Sequence, residues 1–169
     1  MRESRTYGSV RGALSNERPY RDRRFAPRND VEKPGPSMID HVSVGVSDLE
    51  RGARFYELAL APLGLSRLVT RPATVGFGNS YPEFWINLRT GMAPVQPGSG
   101  VHICLRAKSA GDVDAFHTAA LMAGGRSDGA PGLRPHDRVR YYAAFVFDPD
   151  GNRIEAVTFP KDDAEAPPR

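Results

Sequence analysis

The residues with the most chemistry fall in two similar stretches. His41-Val42-Ser43-Val44 and His102-Ile103-Cys104-Leu105 stand 61 residues apart. A histidine at a strand start can ligate a metal or simply hydrogen-bond to backbone. Glu155 adds a carboxylate, which could pair with Arg106 or Arg153. Cys104 is the single cysteine. No base is evident beside it, which argues against a nucleophilic thiol. Trp85, the only tryptophan, could stack a ligand or fill the core. Arg89 and Arg106 could clamp a substrate carboxylate or serve as surface charges. There is no P-loop, no G-x-G-x-x-G and no serine-nucleophile elbow, so phosphate-cradling, dinucleotide and serine-hydrolase chemistries have no motif to rest on.

The elements that position these residues come in two copies. Shifted by 61 residues, Phe55 falls on Phe116, Ala59 on Ala120, Leu60 on Leu121 and Gly64 on Gly125, with no gap. The matches lie where a strand, a helix core and a helix-ending glycine are expected, so the repeat is structural. In 39–46, Val42, Val44 and Val46 alternate with His41, Ser43 and Gly45. In 101–107, Ile103, Leu105 and Ala107 alternate with His102, Cys104 and Arg106. Period-two alternation predicts strands whose apolar set packs on a helix and whose histidines face away. Ser47-x-x-Glu50 and Ser109-x-x-Asp112 are capping-box-like helix starts. Gly64 and Gly125 follow the helix ends, where a left-handed cap is cheap. His117 reads as a helix-surface residue. Three short strands close each copy: about 65–70, 73–78 and 83–89, then a weak one near 125–127, 141–147 and 153–159. Asp150-Gly151 marks a hairpin turn between the last two. The intervening segment 129–136, rich in Pro and Gly, reads as a loop. Each copy is thus β-α-β-β-β. By parity, Glu155 lies opposite Ile154 and Ala156, and Trp85, Asn87 and Arg89 share a face opposite Phe84, Ile86 and Leu88.

With 169 residues, the chain is long enough for one domain with a real core. Its charge is uneven. Residues 1–38 carry nine Lys or Arg against five Asp or Glu, whereas the rest carries fourteen against fifteen. The folded part therefore has no broad nucleic-acid footprint. Residues 1–37 are polar, Pro-rich and aperiodic, and read as a disordered basic tail. A solvated extension, a start codon displaced from Met38, a basic arm touching RNA, DNA or an acidic partner, and a transit peptide are its alternatives. Glu3, Glu17 and Asp22 count against the last. The domain is read as 38–160, followed by a polar C-terminal tail, 161–169. One cysteine, no secretory signal and no membrane-length apolar run point to a reducing, cytoplasmic setting.

Three stretches carry a family likeness: Ile39-Asp40-His41-Val42-Ser43-Val44-Gly45-Val46-Ser47-Asp48-Leu49, Phe84-Trp85-Ile86-Asn87, and Asp148-Pro149-Asp150-Gly151-Asn152-Arg153-Ile154-Glu155. Over about 38–160 the chain resembles the vicinal oxygen chelate superfamily, which includes glyoxalase I, bleomycin-resistance proteins and extradiol dioxygenases. The resemblance implies an α+β fold in which two βαβββ modules form an open half-barrel cleft. It also implies four ligand slots, which fall on His41, Asn87, His102 and Glu155. Two imidazoles and a carboxylate suit Fe, Mn, Zn or Ni and leave positions for a bidentate oxygen substrate.

Asn87 departs from the glyoxalase pattern, because an amide is no base near neutral pH. His41, His102 and Glu155 remain as the metal set, with Glu155 also catalytic. Trp85, Asn87, Arg106 and Tyr142 are the expected substrate contacts. The dioxygenase pattern adds a tyrosine on the penultimate strand. Here Phe145 or Val146 is level with Glu155, Tyr141 and Tyr142 lie further along, and His136 precedes them.

Three functions follow as expectations. One is a divalent-metal enzyme of lyase, isomerase or dioxygenase type acting on a small substrate. Another is a metal-free protein that sequesters a small molecule. The third is a partner-binding role dominated by the tail. Both modules lie in one chain, and a homodimer is compatible with the pattern.

Overall fold

A computed structural model describes residues 39–136 and 139–160. The expected tails, 1–37 and 161–169, lie outside the described residues. The first module comprises β1 (Val42–Val46), α1 (Leu49–Leu60), β2 (Ser66–Arg71), β3 (Thr74–Gly78) and β4 (Pro82–Leu88). The second comprises β5 (Ile103–Arg106), α2 (Ala110–Met122), β6 (Arg126–Arg134), β7 (Tyr141–Phe147) and β8 (Arg153–Thr158). The expected α+β fold of two βαβββ units is thus observed. The sheets run β1-β4-β3-β2 and β5-β8-β7-β6. β1 pairs parallel with β4, and β5 with β8. β1 and β5 are therefore edge strands.

The helices form for the expected reason, with one change of cap. Ser109 and Asp112 close a reciprocal capping box on α2. On α1 the cap is Asp48, which accepts from the Arg51 amide at 3.0 Å. Ser47 lies one residue too early and uses its hydroxyl elsewhere. Both helices lay Phe, Tyr, Val and Ala onto the sheets. Phe55, Tyr56, Phe77, Phe84 and Phe116 are all essentially buried, each contributing about 1.5–3 kcal/mol by leaving water. His117 joins this buried side rather than the surface. Its Nε2 stands 2.8 Å from the Ser127 hydroxyl, and desolvation lowers its pKa.

Two turn readings change. Gly64 adopts the left-handed cap, at φ +81°, but in the second copy Gly124 does so, at φ +93°. Gly125 is needed for space instead: a Cβ there would meet the Phe147 carbonyl at 2.8 Å and the Ala120 carbonyl at 2.9 Å. The segment read as a loop after Ser127 is part of β6. Its pairing to β7 shifts register between Ser127 and Gly129 and again between Gly129 and Gly132. Those bulges on an edge strand take up Pro131, which has no N–H to give a ladder.

The modules meet through α1 and α2 and through the 148–152 turn. Asp148, almost fully buried, accepts from the Tyr56 hydroxyl at 2.7 Å, from the Asp150 amide at 2.9 Å, and from the Asn152 amide and side chain at 2.7 Å each. Asn152 also donates to the Gly45 carbonyl at 2.9 Å. Asp150 receives the Ser47 hydroxyl at 2.5 Å and Arg51 at 2.7 Å. The Asp-Pro-Asp-Gly-Asn stretch is thus a latch onto the first module. Gly151 has φ +91°, and a Cβ there would meet the Val95 carbonyl at 2.4 Å.

Candidate functional site

The face of the second sheet turned away from α2 gathers the reactive side chains. On β5, His102 precedes the strand and alternates with Cys104 and Arg106. Register places Cys104 beside Glu155 and Glu155 beside Phe145. The same face carries Tyr141 and Arg153. Tyr142, Ala144, Val146, Ile154 and Ala156 point the other way, into the core.

Glu155 is the centre of this face. It is 1% exposed, which is costly for a carboxylate unless it is partnered. His102 Nε2 stands 3.1 Å from Oε2, and the Tyr141 hydroxyl donates to Oε1 in a short contact. Burial first, and the Glu155 contact second, push the Tyr141 phenol above its ordinary value. Cys104 Sγ lies 4.0 Å from the Tyr141 oxygen. Desolvation, then the Glu155 carboxylate, push its thiol up to about 12, so it is a poor nucleophile near neutral pH.

Aromatic and cationic groups surround the centre. The His102 and Phe145 rings meet edge to face at 6.4 Å, and Tyr141 meets Phe159 at 5.3 Å. Arg106 lies 4.2 Å over the Phe159 ring, and Arg153 4.9 Å over Phe145. Arg153 pairs with Asp128 at 2.5 Å, so it is not the partner of Glu155.

The expected site residues are partly brought together. His102, Glu155 and Arg106 share the face. His41 is not joined to them: its Nδ1 is 2.9 Å from Asp40 Oδ2. Among the described residues, no group of three His, Cys, Asp or Glu side chains converges as ion ligands. Asn87 Oδ1 lies 2.8 Å from the Thr74 hydroxyl, on the first sheet. Trp85 is on that sheet's non-helix face and is nearly buried. Gly76 leaves room for its ring, and Arg71 lies 5.7 Å over it.

Tyr142 does not face the site. Its hydroxyl donates to Asp114 on α2 at 2.8 Å, and burial raises its pKa to about 12. Its neighbour Tyr141 reaches Glu155 instead, and side-chain parity with Phe145 was the available signal. Matching residues by level missed it, because Tyr141 and Glu155 lean along the strands toward each other.

The two-module architecture, the edge-strand histidines and the Asp-Pro-Asp-Gly-Asn latch fit one family pattern. A profile of the Glyoxalase/Bleomycin resistance protein/Dioxygenase superfamily matches residues 38–156. The chain belongs to that superfamily. It is 35% identical to a glyoxalase/bleomycin resistance protein from Albidiferax ferrireducens T118, over 73% of this chain and 100% of that one, with a TM-score of 0.63. Similar folds occur in a glyoxalase-related enzyme from Fulvimarina pelagi, with 19% identity, a TM-score of 0.55 and coverage of 72% and 88%. A glyoxalase I variant from Zea mays shows 23% identity and a TM-score of 0.55, over 69% of this chain and 45% of that one. No curated protein matches the sequence. Within this superfamily member, the stretch from Asp148 to Glu155 does two things. Asp148 to Asn152 lock the modules, and Glu155, three residues on, faces the site.

Proposed function

We propose that this glyoxalase/dioxygenase-like protein is an enzyme acting on a small oxygen-bearing substrate at Glu155. In this reading a divalent ion, Fe, Mn, Zn or Ni, is held by Glu155, His102 and the His41 of a second copy. One observation carries the reading: the buried Glu155 carboxylate stands beside half-exposed His102 on an open sheet face. Their 3.1 Å separation puts an imidazole nitrogen and a carboxylate oxygen, both donors such an ion takes, side by side. One chain supplies two such donors, and catalytic sites usually keep three protein ligands. β1 and β5 are both edge strands, so a homodimer could bring His41 of one copy to His102 of the other.

A bound ion of this kind supplies Lewis-acid stabilisation of an enolate-like or catecholate oxygen. The chain's own groups do the rest. Tyr141 fixes the carboxylate by donating to Oε1, and His102 faces Oε2. Asn87, on the strand paired with β1, offers from the second copy a neutral amide that can position a substrate oxygen without taking its proton.

Elemental analysis of the purified, untagged protein tests this. About one divalent ion per chain is expected, lost in His102→Ala, Glu155→Gln and His41→Ala. A metal-free protein would overturn the reading. The alternative, a metal-free binding protein of the same fold, is favoured by a separate observation: Tyr141 and His102 already partner both Glu155 oxygens within the chain. Tight ligand binding without metal or turnover would establish it.

A further inference from the structure

Four arginines stand over aromatic rings on the second sheet's open face: Arg106, Arg126, Arg134 and Arg153. Two are committed to acceptors. Arg153 pairs with Asp128, and Arg134 donates to the carbonyls of Ala130 at 2.5 Å and Ala143 at 3.1 Å. Arg106 is different. Its guanidinium is laid on the Phe159 ring at 4.2 Å, and among the described residues no carboxylate pairs with it. Arg106 also borders a cavity of about 280 Å³ that Glu155 does not line; Glu83 borders it too, with Leu63, Leu65, Phe84 and Leu105, without forming an ion pair with Arg106. Among the described residues Arg126 also has no acceptor, but it sits on β6, two strands from Glu155.

Arg106 stands on β5, the strand next to Glu155. It is two residues past Cys104, which is level with that carboxylate. Two residues of strand span about 7 Å, and the guanidinium lies over Phe159, whose ring meets Tyr141 at 5.3 Å. Among the described residues, Arg106 forms no ion pair with Glu155, whose partner is His102. The spacing along the strand matches the length of one aromatic ring or a short carbon chain. The stacked ring holds the planar fork in place, which lowers the entropy lost on binding a carboxylate or phosphate.

We propose that Arg106 is the substrate-anion anchor of the Glu155 site: the substrate carries an anionic group about a ring's length from the oxygens that reach Glu155. The proposal rests on the reading that Glu155 is the reaction centre, but not on a bound metal.

The test uses the full chain and two probes alike except in charge, 3,4-dihydroxybenzoate and 3,4-dihydroxybenzamide, titrated by calorimetry. The benzoate should bind about tenfold or more tightly, the scale of one charge-assisted contact. Arg106→Gln should bring the two affinities together, Arg106→Lys should keep part of the preference, and Arg126→Gln should leave it intact. Circular dichroism confirms that each variant is folded. Absence of a preference in the parent protein, whether both probes bind alike or neither binds, overturns the proposal, as does a preference that survives Arg106→Gln. Metal content measured on the same samples separates this outcome from failure of the metal reading. A metal-free protein that shows the Arg106-dependent preference retains the anchor and loses only the ion.

Discussion

Removing the Asp148 carboxylate should unlatch the two modules. Asp148 accepts four hydrogen bonds, one of them from the hydroxyl of Tyr56, a residue with no exposure at all. In Asp148→Ala that hydroxyl has no water to turn to, and stranding a buried donor costs about 1–3 kcal/mol. The two turn amides and the Asn152 side chain also lose their acceptor. The Asn152 donors are half-buried and recover part of the loss, while the Asp150 amide is buried, so about 3–5 kcal/mol in total is expected, against a typical domain stability of about 5–15 kcal/mol. Tyr56→Phe removes one donor and leaves the others, for about 1–2 kcal/mol. Because the two residues touch, the double variant should cost less than the sum. The assay is equilibrium urea unfolding followed by circular dichroism.

The same variants carry a pH signature. Burial raises the Asp148 pKa in the folded state. The part of its contribution that comes from this shift is therefore fully present below the ordinary aspartate value and is lost as pH rises through the raised one. Asp148→Asn should remove that slope. A cost for Asp148→Ala below about 1 kcal/mol, or additive single variants, would refute the latch.

Three further outcomes are expected. Tyr141→Phe withdraws a donor from the buried Glu155 carboxylate and should cost about 1–3 kcal/mol in urea unfolding; no change would mean water replaces the phenol. Gly125→Ala forces a Cβ against two carbonyl oxygens and should lower stability by about 1–3 kcal/mol, whereas Gly132→Ala, with nothing within 4 Å of its Cβ, should be nearly neutral; equal melting temperatures would contradict this. Cys104, with its pKa at about 12 against an ordinary 9.0, should hold about a thousandfold less thiolate at neutral pH. Iodoacetamide labelling of the native protein should be correspondingly slow and should speed up as pH rises, and labelling at the rate of an unfolded control would refute it.

Local pattern in the sequence was enough to read the duplicated βαβββ unit, the α2 capping box, the Asp150-Gly151 turn and the side of each strand that Glu155 and His102 face. Period-two alternation, capping and turn chemistry act over a few residues, so they can be read from neighbours alone. Features that depend on residues distant in the chain could not be read this way. Ser47 has good N-cap chemistry, but Asp150, 103 residues away, takes its hydroxyl. Segment 129–136 looks like a loop until β7 offers a partner whose ladder tolerates two bulges. His117 looks exposed until Ser127 and the second sheet cover it. Alternation along β7 separates the faces of Tyr141 and Tyr142, but only strand pairing and the packing of α2 decide that one meets Glu155 and the other Asp114. The likeness of His41 to His102 in sequence carried no information about which would meet Glu155. That depended on strand pairing: β5 lies beside β8, and β1 lies beside β4 in the other sheet.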